Sequence, residues 1–340
     1  MKQSRANMEM KIQENSVIWG IIGAGDVCEK KSAPAMYKVP NSSVKAIMRR
    51  SADKAEDFAR RHHIPYWYTN ADHIFNDPEI NAIYIATPPD SHAELTIKAA
   101  HARKAVYVEK PMARTFEECN AMIYACKNVG VQLFVAYYRR ALPKFIKLKE
   151  LIDSKIIGDV RLVQVEMIKP LVPGLIAKLE NNWRIDPQIS GGGYFYDVAC
   201  HQLDLLDFIF GPLHNVSGIC TNQGKLYQAE DIVTGTFSMN HNILGVGSWC
   251  FTSARANEKE LTTIIGSKGK IEFSTFGDSP IIVDSEIHGK AEYNFQSPQH
   301  IEEPMIRTVV GDLLGNAICP CDGKIGARTN LVMEKICNHI

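Results

Sequence analysis

The chain has no excess of charge of either sign, because its 38 Lys and Arg residues equal its 38 Asp and Glu residues. A nucleic-acid-binding protein usually carries a basic excess or a basic stripe, so the composition argues against that class. Long apolar runs are also missing, and no segment approaches the ~20 apolar residues of a membrane-spanning helix. The first 16 residues are polar and charged, without the apolar core of a signal peptide. We therefore expect a cytoplasmic protein with a polar leader over residues 1–16 and neither a nucleic acid nor a membrane as partner.

Paired cysteines at metal-binding spacing are missing as well. The nine cysteines are scattered, and the closest pair, Cys319 and Cys321, has no second pair at zinc spacing. Scattered single cysteines are typical of a reducing compartment. The pattern predicts no bound metal ion.

The residues that are present predict a folded protein of two domains. Apolar residues make up 45% and charged residues 22%, which is the balance of a globular protein, and 340 residues exceed one ordinary domain. Over residues 17–138, short apolar strands alternate with helical stretches, which predicts an α/β domain with a doubly wound parallel sheet, the Rossmann arrangement. The predicted strands are 17–22, 43–48, 81–86, 105–108 and 131–136, and the predicted helices are 52–61, 91–103 and 115–128.

The pattern changes over residues 139–340. Two helices, 142–153 and 191–209, accompany strands over 160–168, 232–239, 243–252 and 261–265, and the last three of these strands alternate between apolar and polar residues. We expect an α+β domain with a large open, mainly antiparallel sheet. A free sheet face often packs on another subunit, which predicts a homodimer or homotetramer and could place Trp249 at the subunit interface.

A glycine loop follows the first predicted strand and precedes a helical stretch. It matches the dinucleotide-binding pattern G-x-G-x-x-G except at the last position, which is Cys28. The first glycine permits a tight turn, and the second lets the backbone approach a pyrophosphate at the helix N-terminus. The loop predicts a nicotinamide cofactor, with a glycine turn of another α/β protein as the alternative, and Cys28 predicts looser packing or a small shift of the helix. The predicted cofactor-binding residues of this loop are Gly23, Ala24, Gly25, Asp26 and Val27.

The end of the second strand predicts which cofactor is preferred. An NAD-dependent enzyme usually places an acidic residue here for the ribose hydroxyls, whereas this chain has Arg49, Arg50 and Ser51 and no carboxylate before Asp53. A guanidinium group pairs well with a 2′-phosphate. We expect NADP(H) to be preferred and NAD(H) to be possible, with two solvated arginines as the alternative.

A charged pair, Glu109 and Lys110, stands before Pro111 at the end of a buried strand. The carboxyl edge of an open α/β sheet is where ligands bind. A lysine there can polarise a carbonyl group or stabilise an alkoxide beside the nicotinamide. The alternative is a surface ion pair beside a turn.

A second polar group follows three glycines. Asp197, His201 and Asp204 stand at positions i, i+4 and i+7, which predicts one polar stripe on a helix. Histidine is the natural proton donor near neutral pH. A surface Asp–His pair is one alternative, and a metal site is another, although no fourth ligand is evident.

Together these motifs resemble the glucose–fructose oxidoreductase/inositol dehydrogenase family (Gfo/Idh/MocA). The tripeptide Glu109-Lys110-Pro111 is followed some eighty residues later by GGG-x-x-x-D-x-x-x-H-x-x-D, and the likeness runs from Val17 to the C-terminal helix. Further matches are Ala86-Thr87-Pro88 with His92, Tyr138-Arg139-Arg140, and Trp183-Arg184.

The resemblance implies hydride transfer between a nicotinamide and a carbon that bears a hydroxyl or carbonyl group. His201 would be the general acid/base, Lys110 would polarise the reacting oxygen, and Asp197 would orient the substrate. Tyr138 and Arg184 would line the substrate pocket. Such enzymes act mostly on sugars, inositols and related polyols, and we expect reduction of a sugar-like ketone or aldehyde with NADPH.

The resemblance also implies further cofactor contacts, at Thr87, Pro88, His92, Glu109 and Lys110. Two alternatives stay open. One is an NAD-dependent sugar or inositol dehydrogenase that works in the oxidising direction. The other is a regulatory protein that binds the dinucleotide without turnover, but such proteins often lose the lysine or the histidine, and this chain keeps both Lys110 and His201.

Overall fold

The computed structural model describes residues 15–170 and 182–338, which form two compact units. Most of the predicted leader, residues 1–14, lies outside the described residues. The first unit contains the chain up to Ala113, Glu117–Tyr138 and Pro298–Ala327, and the second contains Arg114–Phe116, Arg139–Ser297 and the chain from Arg328 onward. The first unit therefore includes the chain up to Tyr138 and also Pro298–Ala327. The domain bounds 17–138 and 139–340 stay predictions.

The first unit is built on six parallel strands in the order β3-β2-β1-β4-β5-β6. The strands are β1 Val17–Ile22, β2 Ser42–Met48, β3 Tyr66–Tyr68, β4 Ala82–Ile85, β5 Ala105–Val108 and β6 Leu133–Val135. The helices between them are α1 Ala33–Lys38, α2 Ala52–Arg61, α3 Asp72–Phe75, α4 His92–His101 and α5 Phe116–Val129. The predicted doubly wound parallel sheet is confirmed, and the strand order reverses between β1 and β4.

Burial explains why most of these strands are recognisable in the sequence. Every residue of β4 and β5 is buried, as expected for parallel strands covered on both faces. Trp19 of β1 is buried in the core of the unit. The strand β3 is not among the predicted strands, because it has only three residues and its aromatic side chains are partly exposed at the sheet edge.

The second unit is built on eight strands in the order β14-β13-β12-β11-β7-β10-β9-β8. They are β7 Val160–Pro170, β8 His214–Thr221, β9 Ile232–Met239, β10 Ile243–Ser253, β11 Lys259–Gly266, β12 Gly269–Phe273, β13 Ile281–Ser285 and β14 Gly289–Tyr293. Neighbours are antiparallel except β7 and β10, which run parallel. The predicted open, mainly antiparallel sheet is therefore confirmed.

The remaining helices complete the chain. They are α6 Pro143–Asp153, α7 Pro187–Ser190, α8 Cys200–Phe210, α9 Glu303–Leu313 and α10 Gly323–Cys337. Within the described ranges, no helix combines the length and the apolar character that crossing a membrane requires.

The large sheet has one covered and one open face. Along β9 and β10 buried and more exposed residues alternate, as in a sheet with one solvated face. Trp249 lies on the covered side, is 0% exposed, and donates its indole N–H to Oε1 of Gln202 at 2.7 Å. The prediction that Trp249 could lie at a subunit interface is therefore wrong, because its ring packs inside the unit.

Candidate active site

The glycine loop is tightly folded against its neighbours in the first unit. The N–H groups of Gly23 and Ala24 both donate to the carbonyl oxygen of Met48. Gly23 has φ +88°, and a Cβ atom there would lie 2.8 Å from the backbone nitrogen of Thr87, so only glycine fits. A Cβ atom at Gly25 would meet only the carbonyl oxygen of Gly23, at 3.8 Å. The loop therefore offers open space above Gly25, which suits the approach of a pyrophosphate.

A helical segment leads from this loop into α1. It begins at Asp26 and contains a π-helical turn over Cys28–Ser32. The thiol of Cys28 is fully buried, and burial raises its pKa well above the ordinary value. A π-helical turn holds one more residue than an α-helical turn. The helix geometry therefore changes at Cys28, the position where the dinucleotide-binding pattern usually has glycine. The positive N-terminal end of the segment fits a phosphate group.

The arginine cluster lies beside the glycine loop. The strands β1 and β2 are parallel, and their last residues, Ile22 and Met48, lie opposite each other. Arg49 follows Met48 just as the glycine loop follows Ile22, so the two segments leave the sheet side by side. Arg50 and Ser51 are exposed, and the Ser51 hydroxyl forms no cap bond to α2. The position and chemistry of these side chains fit a 2′-phosphate.

His92 connects two loops at the carboxyl edge of the sheet. Its Nε2 lies 2.8 Å from the carbonyl oxygen of Thr87, and its Nδ1 lies 3.2 Å from those of Pro111 and Met112. Burial lowers the pKa of His92, although these carbonyl contacts oppose that shift. The side chain is 0% exposed. His92 therefore links the Thr87 turn to the Pro111–Met112 segment, and its predicted contact with the cofactor stays a prediction.

Glu109 and Lys110 follow β5 directly. The Glu109 carboxylate is buried, accepts a hydrogen bond from the Tyr84 hydroxyl at 2.6 Å through Oε1, and accepts one from the Lys110 backbone N–H at 3.1 Å through Oε2. Lys110 is half-buried, and its bond to Pro111 is cis. A surface Glu–Lys pair is thus excluded, because the glutamate faces the interior.

In the second unit, two predicted substrate-binding residues form an ion pair. Nε of Arg184 lies 3.2 Å from Oδ2 of Asp197. The guanidinium also stacks on the Trp183 ring, 4.4 Å from its centroid. This arrangement holds the Asp197 carboxylate in place beside a partly exposed aromatic surface.

His201 stands in the first turn of α8. A π-helical turn over Phe195–Ala199 precedes it, and its ring packs edge-on against Phe276 at 5.8 Å between centroids. Gly191, which precedes this helix, is required by the backbone, since it has φ +89° and a Cβ atom there would lie 2.9 Å from the carbonyl oxygen of Arg114. The π-helical turn changes the spacing that a regular α-helix would give to the polar residues.

Asp204 does not extend the polar stripe. Arg140 donates from Nε to both of its carboxyl oxygens at 3.0 Å, and Nη2 of Arg140 reaches Oδ1 of Asp207 at 2.9 Å. Arg328 also donates to Asp207, at 2.7 Å. Burial raises the pKa of Asp204 to about 6, although Arg140 opposes the shift. The predicted stripe of three residues is therefore wrong at Asp204, which belongs to a buried ion network.

The metal alternative gains no support. Across residues 15–170 and 182–338, no three or more His, Cys, Asp or Glu side chains come together in a group that could hold a metal ion. The acidic residue that would have completed the ligand set, Asp204, is bound to arginine instead.

Gln202, which sequence reasoning missed, anchors the helix next to His201. Its Oε1 accepts from Trp249, and its Nε2 donates to Oε1 of Glu260 at 3.0 Å. A glutamine beside a predicted catalytic histidine was the one signal in the sequence, but its partners lie 47 and 58 residues away along the chain.

The structure therefore assembles the predicted residues in two groups. In the first unit, the carboxyl edge of the parallel sheet gathers the glycine loop, the arginine cluster, the Thr87-Pro88 turn and Lys110. In the second unit, Arg184 and Asp197 pair directly. Tyr138, predicted to line the substrate pocket, is buried in a 3₁₀ turn at the end of the first unit.

The two loop glycines give a matched pair of substitutions. We expect Gly23→Ala to destabilise the protein, because the new Cβ meets backbone atoms at a positive φ. Gly25→Ala should leave the unfolding midpoint unchanged and weaken nicotinamide binding on the order of tenfold or more, because its methyl group enters the space for the pyrophosphate. Thermal unfolding and a fluorescence titration with NADPH measure the two effects. Unchanged binding in the Gly25→Ala variant would contradict the assignment of this loop.

Comparisons with known proteins agree with this geometry. Residues 17–137 match the family described as "Oxidoreductase family, NAD-binding Rossmann fold", and residues 145–272 match the "GFO/IDH/MocA C-terminal domain". The chain is 41% identical to Oxidoreductase P35 of Formosa agariphila over 326 residues, covering 95% of this chain and 99% of that protein. It is 27% identical to trans-1,2-dihydrobenzene-1,2-diol dehydrogenase of Xenopus laevis, covering 84% and 83% of the two chains.

Two solved structures share the fold. Aldose-aldose oxidoreductase from Caulobacter crescentus, complexed with glycerol, has a TM-score of 0.83 at 21% identity and covers 94% of this chain and 96% of its own. Levoglucosan dehydrogenase in complex with NADH has a TM-score of 0.82 at 21% identity, with the same coverage of both chains.

Proposed function

Because the chain belongs to the GFO/IDH/MocA family of oxidoreductases, whose first domain is an NAD-binding Rossmann fold, we propose that it transfers a hydride between NADP(H) and a sugar-like or polyol substrate. The observation that carries this proposal is the position of Lys110. It follows β5 at the edge of the same parallel sheet whose first turn is the Gly23–Gly25 cradle. The sugar-like substrate class is supported by the levoglucosan and aldose enzymes that share the fold.

The residues divide the chemistry between them. The backbone of Gly23–Val27 would hold the pyrophosphate, and the nicotinamide, when bound, supplies or accepts the hydride. Lys110 polarises the reacting oxygen and stabilises negative charge on it. His201 gives a proton to that oxygen in reduction and removes it in oxidation. Asp197, paired with Arg184, accepts hydrogen bonds from substrate hydroxyl groups and so fixes the reacting carbon.

The experiment that tests this proposal combines binding with turnover. Fluorescence titration with NADPH and NADH identifies the tighter cofactor, which is then assayed with a panel of sugar ketones, aldehydes and polyols. We expect binding of a reduced nicotinamide and turnover of at least one panel member. Binding without turnover on a broad panel would favour the regulatory alternative, and no binding of either nucleotide would contradict the proposal.

The preference for NADP(H) is tested by reversing one charge. Arg50→Glu removes a charge-assisted partner of the 2′-phosphate, so we expect kcat/KM for NADPH to fall about 10- to 100-fold while kcat/KM for NADH is retained or rises. Lys54→Glu, in the exposed part of α2, is the matched control and should leave the ratio unchanged. Comparable kcat/KM values for the two cofactors in the parent protein would instead support an NAD-dependent dehydrogenase. That alternative is favoured by the NADH complexes of proteins with a similar fold.

A homodimer or homotetramer through the open sheet face is the proposed assembly. Ile219 and Leu244 on that face are 75% and 59% exposed, and Val246 beside them is also exposed. Apolar side chains gathered on one face of a sheet are typical of a subunit interface. We expect Leu244→Lys to shift the sedimentation coefficient toward the monomer, whereas Ile318→Lys, outside the sheet, should not. A parent protein that sediments as a monomer would overturn this assembly.

A further inference from the structure

A loop that sequence analysis did not single out carries an aromatic ring to His201. This segment, the Phe276 loop, spans residues 274–280 between β12 and β13. The Phe276 ring packs against the His201 imidazole, with 5.8 Å between the centroids and 77° between the ring planes. The pairing of β12 with β13 ends at Glu272 and Ile282, so hydrogen bonds between these strands do not fix the loop. Its conformation therefore depends on contacts with other elements of the second unit.

Two buried cations hold the carbonyl oxygens of the Phe276 loop. Nζ of Lys144, near the start of α6, donates to the carbonyl oxygen of Ser274 at 2.8 Å. Nε of Arg139 donates to the carbonyl oxygen of Thr275 at 3.0 Å, and the guanidinium lies 4.4 Å from the centroid of the Phe276 ring. Hydrogen bonds from charged donors are stronger than those between neutral groups. The two cations therefore hold the loop backbone, and Arg139 also holds the aromatic ring.

One carboxylate holds the N–H groups of the same loop. Glu260, in β11, accepts from the backbone N–H of Thr275 at 3.0 Å through Oε1 and from that of Phe276 at 3.3 Å through Oε2. Its Oε1 accepts in addition from Nε2 of Gln202 at 3.0 Å. Gln202 belongs to α8 and directly follows His201 in the chain. Glu260 therefore joins the Phe276 loop to the helix that carries the proposed general acid/base.

The contacts of Glu260 reach His201 from two sides. On the helix side, the neighbouring Gln202 is bound both by Glu260 and by the indole N–H of Trp249. On the loop side, the Phe276 ring packs against the imidazole. An imidazole ring rotates readily about the bond to its Cβ atom, and packing against a fixed neighbour restricts that rotation. The orientation of the histidine ring therefore depends on the carboxylate that holds both neighbours.

We propose that Glu260 is a positioning residue for His201, acting through Gln202 on the helix and through Phe276 on the imidazole ring. The carboxylate fixes the turn from which the histidine projects and the aromatic ring against which it packs. The nitrogen that transfers the proton then keeps one orientation toward the reacting oxygen. This catalytic consequence rests on the proposed function, whereas the orientation of the His201 ring does not.

NMR of the histidine ring tests this orientation without any substrate. In protein labelled with ¹³C at Cε1 of its 11 histidines, the signal of His201 is the one that His201→Gln lacks. The ring current of Phe276 displaces this signal, and Phe276→Leu shows its position without the ring. Glu260→Gln keeps the shape but turns an N–H donor toward the groups that the carboxylate accepts from. We expect Glu260→Gln to move the signal toward the Phe276→Leu position, because the ring remains but is no longer held.

Glu258→Gln is the matched control for the NMR measurement. It makes the same substitution nearby in the chain, at an exposed carboxylate that pairs with Lys169. We expect it to leave the His201 signal at the parent position. A folded Glu260→Gln variant whose His201 signal also stays at the parent position would overturn the proposal. If Glu260→Gln does not fold, Glu260→Asp, which keeps the charge on a shorter side chain, is measured in the same way, and an unmoved signal has the same meaning.

Steady-state kinetics test whether the orientation matters for catalysis. Glu260→Gln and Phe276→Leu should each lower kcat on the order of tenfold, because a misplaced acid/base transfers its proton less efficiently. The KM of the substrate should change less, since His201 acts on the transition state. Folded variants that keep the parent kcat would overturn the catalytic consequence. If the parent turns over no substrate, the proposed function fails, while the NMR result still decides whether Glu260 holds the His201 ring.

Discussion

Replacing Lys110 by methionine lowers kcat about 10²–10³-fold, because the reacting oxygen loses the cation that polarises it. Methionine has similar length and no charge, so the Glu109 contact with the backbone N–H of residue 110 can persist. We expect the variant to retain its unfolding midpoint and its nicotinamide affinity, since the glycine loop is untouched. Steady-state kinetics with the substrate found by the sugar panel measure the loss. Lys98→Met, an exposed lysine on α4, is the control and should keep the parent kcat.

His201→Ala tests the proposed general acid/base in the same way. A general acid/base contributes ~10²–10⁴-fold to the rate, so we expect kcat/KM to fall by that factor. The fall should be smaller at a pH where solvent can take over the proton transfer. His101→Ala, at the exposed end of α4, removes a histidine outside the proposed site. If either Lys110→Met or His201→Ala keeps kcat/KM within a few-fold of the parent, the role assigned to that residue is wrong.

The second large effect is on stability. Arg140→Leu should lower the free energy of unfolding by about 3–5 kcal/mol, because Asp204 and Asp207 would remain buried with much of their compensating charge removed. Arg328 still reaches Asp207, so Asp204 carries most of the penalty. Urea-induced unfolding measures the change. The same variant should lose activity, since Asp204 belongs to the helix that contains His201.

Two further variants separate charge from geometry. Arg140→Lys keeps the positive charge but cannot contact both carboxyl oxygens in the same way, so its stability should fall between the parent and Arg140→Leu. Arg60→Leu removes an exposed arginine that pairs with Asp57 on the same helix, and it should change stability little. An Arg140→Leu variant as stable as Arg60→Leu would show that the buried network is not needed.

Local chain patterns predict the parts of the site that are contiguous in sequence. The glycine loop and the Lys110 tripeptide each follow a short buried strand, so strand, turn and functional residue can be recognised together. The parallel sheet then brings the ends of these strands to one edge without further information. For the same reason, the amino-acid sequence alone suffices to place Arg49 and Arg50 near the glycine loop.

Contacts between distant residues cannot be predicted in this way. Arg140 and Asp204 each belong to a recognisable motif, but nothing local indicates that they pair across 64 residues. The return of the chain to the first unit depends on contacts between residues still further apart in sequence, such as the hydrogen bond from Val135 N–H to the carbonyl oxygen of Cys321.

The hydrogen-bonding pattern inside a helix also cannot be predicted from local sequence patterns. The apolar and polar periodicity before His201 fits a helix, and it does not distinguish a π-helical turn from an α-helical one. Asp197 lies inside that turn, whereas His201 lies in the α-helix that follows it.

Isotope transfer tests most directly whether the protein moves a hydride between a nicotinamide and a sugar-like carbon. The protein is incubated with NADPH carrying deuterium at both C4 positions of the nicotinamide and with the best carbonyl substrate of the panel, and the product is analysed by mass spectrometry. We predict one carbon-bound deuterium in the sugar alcohol, and its loss in the Lys110→Met and His201→Ala variants. Tight nucleotide binding with no deuterium in any product would contradict the account.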